Sequence, residues 1–202
     1  MNLEQQLTAM LVPFYLGEYT DSEGRKIQEM WAWDFEELEC AHDYIQWLFP
    51  IAEKSTFNPN APVVDETVIQ AFQRDPRLQQ NLRRSLSVML RLYGLQRSLN
   101  ESGKVVVEKS ADYPLRKREW ICLLDHNYLR ITRILKCLTL FGLNEEAQAL
   151  YDCLRQLYRE ERDQIGRETF QYWTDAVKAF SAVLPVHQQY GKPQFSQVTP
   201  NN

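Results

Sequence analysis

Glycine is scarce in this chain, seven in 202 residues, and the few present stand mostly where helices or turns should end. No glycine-rich phosphate loop, G-x-S-x-G or H-E-x-x-H occurs, and no Cys–His pair sits in a familiar context. The common signatures of nucleotide, serine-hydrolase and zinc-protease chemistry are therefore missing. Cysteine is sparse too. Cys40, Cys122, Cys137 and Cys153 form no C-x-x-C pair and no zinc-ribbon spacing. Each falls among apolar residues of a helical pattern, which predicts reduced core side chains. No window approaches the roughly 20 apolar residues of a membrane span. Met1–Gln6 lacks a positive n-region, so no signal peptide is expected and the cytoplasm is the expected compartment. No cofactor is implied. The net charge of −4 repels polyanions weakly, and Arg83-Arg84 and Lys117-Arg118 are short charge clusters of a solvated face, so nucleic acid is not an expected partner.

What is present is ordinary in bulk: 44% apolar and 25% charged residues, enough for one core in a chain of this length. Five Trp, ten Tyr and nine Phe make that core aromatic-rich. The periodicity is helical almost throughout. It predicts an all-α, single multi-helix globular domain over residues 1–186, with about seven to nine helices. Pro50, Pro59 and Pro62, with Asn58 and Asn60, mark one long Pro/Asn-rich loop from Pro50 to Val64. Gln, Pro and Asn dominate residues 187–202, the composition of a disordered tail.

Leu3, Leu7, Met10 and Leu11 give a first helix that Pro13 should break. Asp34, with Glu37 three residues on, forms a capping box. It opens a helix expected to reach Phe49, with Leu38, His42, Ile45 and Phe49 on its inward face. Asp65 caps a short helix to Phe72. Asp75-Pro76 starts another, to Tyr93, which Gly94 ends. Lys104–Glu108 has strand composition, but no partner strand is apparent. Further helices are expected over 114–124, 125–141, 144–160 and 168–183.

The helix from Asp125 carries the most informative pattern. At about 100° per residue, His126, Arg130, Arg133 and Cys137 fall on one narrow stripe. Ile131, Ile134, Leu135, Leu138 and Phe141 form a broad apolar face beside it, while Thr132, Lys136 and Thr139 lie elsewhere on the wheel. A guanidinium held against apolar surface needs partners. Acids of a neighbouring helix, such as Glu39 or Asp43, can supply them; so can a carboxylate or phosphate ligand in an open pocket. His42 on an apolar face is commonly a hydrogen-bonded structural residue. Glu39-x-x-His42 has the spacing of a bundle metal half-site, but such sites need a second copy of the motif and none exists, so no metal is expected.

Several longer segments resemble a known family. His42-Asp43-Tyr44-Ile45-Gln46-Trp47-Leu48-Phe49-Pro50, Asn58-Pro59, Met89-Leu90-Arg91-Leu92-Tyr93-Gly94 and His126-Asn127-Tyr128-Leu129-Arg130-Ile131-Thr132-Arg133-Ile134-Leu135-Lys136 occur in that order. Together with Phe14-Tyr15-x-Gly17 and Asp21-x-x-Gly24, they resemble the conserved region of the opioid growth factor receptor, from Phe14 to Val183. Animal members are non-enzymatic, perinuclear and nuclear-associated binders of an enkephalin peptide, unrelated to the seven-helix opioid receptors. The resemblance implies a helical binding domain, here in a compact stand-alone form that would suit a bacterial or otherwise minimal homologue. It also implies that His42, Gln46, Asn58, His126, Asn127, Arg130 and Arg133 belong to one polar cluster, since they lie within or beside the signature segments.

The expectation is therefore a binding protein without catalytic residues. Its ligand set is those seven residues, and its partner is an unknown peptide, protein or small anion. A scaffold domain with buried ion pairs is the alternative, as is an unrecognised hydrolase-like enzyme using His42 or His126 as general base. The helix from Glu37 to Phe49 should lie buried against the helix from Asn127 to Phe141, because both are apolar over most of their circumference and need mutual cover.

Overall fold

Asn2 opens the first helix through a capping box with Gln5, and the computed structural model describes residues 2–56 and 58–178. Helix α1 (Leu3–Tyr15) passes through Pro13 instead of stopping before it. Proline's fixed φ is helical, so the cost is confined to one backbone bond near the last turn. Against that cost stands the complete burial of Phe14 and Tyr15. Their rings sit 5.2 Å from Trp47 and 4.7 Å from Phe72, respectively, and aromatic burial of this kind dominates core energetics.

Asp34 caps as its sequence predicts, its carboxylate accepting from the backbone of Glu37. The helix it opens is much shorter than expected. After α2 (Ile27–Ala32), α3 covers only Phe35–Cys40, Ala41 is extended, and a single turn, α4 (Ile45–Leu48), follows. Leu38, Ile45 and Phe49 are buried as the periodicity requires, while His42, on the extended segment between the two helices, is exposed. The break has a physical cause across the core, where one arginine takes up carbonyls that a continuous helix would have used.

Asp65 and Asp75 cap α5 (Glu66–Arg74) and α6 (Pro76–Leu92). Beyond Gly94 the chain forms an antiparallel hairpin, β1 (Leu95–Leu99) with β2 (Val105–Lys109), in which Leu95 faces Lys109 and Leu99 faces Val105. The valine run thus has the partner that its sequence neighbourhood did not reveal. Only Leu95 of β1 is fully buried, so its alternation is weak. The turn does the aligning: Asn100 Oδ1 accepts from the backbones of Ser102 and Lys104, and Gly103 takes a positive φ.

Helices α7 (Tyr113–Trp120), α8 (Asn127–Leu140), α9 (Asn144–Glu160), α10 (Arg162–Ile165) and α11 (Arg167–Lys178) complete the described fold. The fold is mostly helical: eleven helices and one two-stranded sheet among the described residues, more helices than expected because several are single turns. Helix α8 is central, packed by α9 and α11 and lined with Ile131, Ile134, Leu135 and Leu138. Cys137 and Cys153 are buried, whereas Cys40 and Cys122 are exposed because both end or follow short helices at the surface. The tail expected over 187–202 lies outside the described residues.

Candidate functional site

Arg130 projects from α8 onto the end of α3. It is 5% exposed, and its Nη1 donates to Leu38 O at 3.1 Å while Nη2 donates to Glu39 O at 3.2 Å and Ala41 O at 2.7 Å. A helix end leaves carbonyls without partners and carries partial negative charge; the guanidinium satisfies both. Nη2 also lies 3.0 Å from Nδ1 of His42. A guanidinium has only donors, so Nδ1 accepts and the neutral ring keeps its hydrogen on Nε2. The Tyr44 ring packs beneath the guanidinium carbon at 5.6 Å, and burial pushes the Tyr44 hydroxyl up to about 12.

Glu39 gathers the other polar groups. Its carboxylate accepts from Asn127 Nδ2 at 3.0 Å, lies 3.1 Å from Nε2 of His126, and stands 3.8 Å from Arg130 Nη1. Asn127 is fully buried, its Oδ1 accepting from Arg130 and from the Tyr93 hydroxyl. The rings of His42 and His126 meet edge to face, with centroids 5.3 Å apart. Asp43, the other acid considered for the arginines, pairs with Arg25 instead.

His42, His126 and Arg130 of this cluster line a cleft of about 610 Å³ together with Gln46, Arg133 and Lys136. Arg133 donates to Phe49 O at 3.1 Å and takes part in no ion pair among the described residues. Burial lowers its pKa, opposed by Cys137 and Glu53. Lys136 turns to Glu53 at 2.8 Å. His42 is held below its ordinary pKa, first by desolvation, then by Arg130 and His126.

A family model for the opioid growth factor receptor conserved region matches residues 6–185. The chain belongs to that family. It is 32% identical over 154 residues, 75% of its length, to the human opioid growth factor receptor, of which the match covers 22%. The mouse opioid growth factor receptor is 34% identical over 58% of this chain and 18% of its own length. Opioid growth factor receptor-like protein 1 of Xenopus tropicalis is 33% identical over 59% of this chain and 23% of its own. The chain thus spans about a fifth of the length of these relatives. No solved structure matches it.

Of the seven residues that the family resemblance drew together, His42, Gln46, His126, Arg130 and Arg133 line the one cleft. Asn127 lies behind its wall, bonded to Glu39. Asn58 stands apart: it lines a second cleft with Asn2 and Pro59, on the other side of Lys54 and Ser55, which border both. Sequence reasoning missed Lys136 and Glu53. Lys136 falls three residues after Arg133, the spacing of helical neighbours, and that was the available signal. Glu53 comes from the proline-rich loop, whose path no periodicity predicts.

Proposed function

We propose that this member of the family is a non-enzymatic binding domain, one unit over residues 1–186, whose cleft accepts a small anion through Arg133. The match over residues 6–185 supports the extent of the unit. One observation carries the ligand reading: a partly buried guanidinium opens on a 610 Å³ cleft with a single protein acceptor, Phe49 O, and no ion pair among the described residues. Taking a cation out of water costs free energy unless a counter-ion restores it, and a carboxylate or phosphate does so with charge-assisted hydrogen bonds. Arg130, fully engaged with carbonyls and His42, positions the wall. His42 and His126 border the anion, Asn127 fixes Glu39, and Asn58 belongs to the neighbouring cleft. The relatives' name is that of a receptor, which agrees with a ligand-binding role.

A thermal screen tests this. A ligand bound only by the folded state stabilises by RT ln(1 + [L]/Kd), about 2.7 kcal/mol at a hundredfold excess. At constant ionic strength, phosphorylated metabolites or carboxylate-terminated peptides should raise the melting temperature of the wild type, and Arg133→Gln should lose the gain while keeping its own midpoint close to wild type. Equal shifts in both proteins would mean a general salt effect.

A scaffold role is the second reading. Leu115, Leu123, Leu124 and Leu129 are exposed, Leu124 by 90% and at a positive φ, and strained or exposed apolar positions of this kind recur at interaction surfaces. No anion producing a shift would favour it.

A further inference from the structure

Away from the cleft, three arginines stand in a row against aromatic rings. Arg84 of α6 lies over Trp31, its guanidinium carbon 4.3 Å from the ring centroid. Arg91, seven residues further along the same helix, and Arg116 of α7 share the ring of Phe35, at 5.7 Å and 4.1 Å. Seven residues are two helical turns, so Arg84 and Arg91 issue from one face of α6 about 10 Å apart. The pair on Phe35 is tied at one edge: Arg91 Nη2 donates to Trp33 O at 3.1 Å, and Arg116 Nε donates to Leu92 O at 2.9 Å. The two end nitrogens of Arg116 make no hydrogen bond among the described residues, and neither is buried. Arg84 and Arg91 are exposed. None of the three takes part in an ion pair among the described residues. Ring contact and carbonyl tethers thus hold Arg91 and Arg116 in place while leaving donors open to solvent.

We propose that this row docks an acidic segment of a partner protein, with one carboxylate seated end-on in the free fork of Arg116 and others against Arg91 and Arg84. A planar guanidinium held in advance takes a carboxylate through two parallel hydrogen bonds and loses less side-chain freedom in doing so. A run of about six residues, extended at roughly 3.3 Å each, spans the row. The rings argue against a nucleic-acid strand. Bases stack on open aromatic faces, whereas arginines lie over Phe35 and Trp31, and Trp31 is buried. Asp34, Glu36 and Glu37 flank Phe35, and the carboxylates of Asp34 and Glu37 are occupied in the capping box of α3. Their charge, on a chain of net charge −4, disfavours a long polyanion over a short acidic run. The surface is separate from the Arg133 cleft, which none of these three arginines lines.

Fluorescence anisotropy at pH 7 and low ionic strength, with labelled hexaglutamate, hexaglutamine and hexathymidylate as probes, tests the assignment. Wild type should bind hexaglutamate at least about tenfold more tightly than either of the others. The double variant Arg91→Gln, Arg116→Gln should lose about tenfold in that affinity. Phe35→Leu, which keeps every charge and removes the ring that orders both guanidiniums, should lose about threefold. Arg77→Gln, Arg159→Gln removes the same charge elsewhere and should bind as the wild type does. No binding of hexaglutamate overturns the proposal. So does binding that the Arg91, Arg116 double variant or Phe35→Leu leaves unchanged, or that the Arg77, Arg159 variant loses equally. Hexathymidylate bound as tightly as hexaglutamate overturns it in favour of a nucleic-acid strand. Should the first double variant fail to fold, Arg84→Gln decides in its place, since the Arg84 side chain makes no hydrogen bond among the described residues. A loss of about threefold then supports the surface, and unchanged affinity overturns it.

Discussion

Arg130 and Arg133 stand one turn apart on α8 and carry the same group, yet their surroundings give them different work. Arg130 meets three backbone carbonyls, Asn127 and His42 within hydrogen-bond reach. Removing it leaves the carbonyls of Glu39 and Ala41 without that donor, Leu38 O with the Tyr44 hydroxyl alone, and Glu39 with one cation fewer. Arg130→Ala should therefore destabilise the fold by about 3–5 kcal/mol, read from urea midpoints. Arg130→Lys should recover only part, because an ammonium cannot span the fork of carbonyls that a planar guanidinium reaches. A loss below about 1 kcal/mol for Arg130→Ala would mean that water replaces the guanidinium and that the break after α3 has another cause.

Some elements in this fold end where a left-handed glycine turns the chain, and those ends are unequal. Gly94, between α6 and β1, has φ +70°, and a Cβ there would stand 2.7 Å from Tyr113 Cα and 2.9 Å from Arg116 Cβ. Gly103, in the hairpin turn, has φ +78° with nothing within 4 Å. Both substitutions to alanine carry the backbone cost of the left-handed region, about 1–2 kcal/mol. Only Gly94→Ala adds a collision with backbone, worth roughly 1–3 kcal/mol more. Melting curves of the two variants should separate by that difference, with Gly94→Ala the weaker protein. Equal losses would show that α7, which begins at Tyr113, shifts freely to make room.

At the scale of the whole molecule, stability responds to acid through His42. His42 faces Arg130, His126, Glu39 and Asp43, and its net shift is downward. A histidine with a depressed folded pKa leaves stability untouched above its unfolded pKa of about 6.5. Below that the unfolded chain takes up a proton that the fold resists, so stability falls with pH until the folded pKa is passed. The urea midpoint should therefore drop between pH 7.5 and 5.5. His42→Asn, whose amide oxygen replaces Nδ1 as acceptor, should flatten that dependence. Because His42 is exposed, the effect is modest, and an unchanged slope in the variant would assign the acid response elsewhere.

The sequence by itself determined the helical class, the caps at Asp34, Asp65 and Asp75, the stop at Gly94 and the family, because each rests on local chemistry or on residues in fixed order. The stripe of His126, Arg130 and Arg133 was legible for the same reason: one uninterrupted helix sets their spacing. Contacts between distant segments decided the rest. The helix from Asp34 stops at Cys40 because Arg130, ninety residues away, takes its last carbonyls. Helix α1 continues through Pro13 because Phe14 and Tyr15 bury against Trp47 and Phe72. The valine strand gained its partner from a turn built on Asn100. Which arginine is structural and which faces the cleft depended on where the chain from Leu38 to Glu53 lies over α8, and that path is set by packing across the core, which no periodicity along the chain encodes.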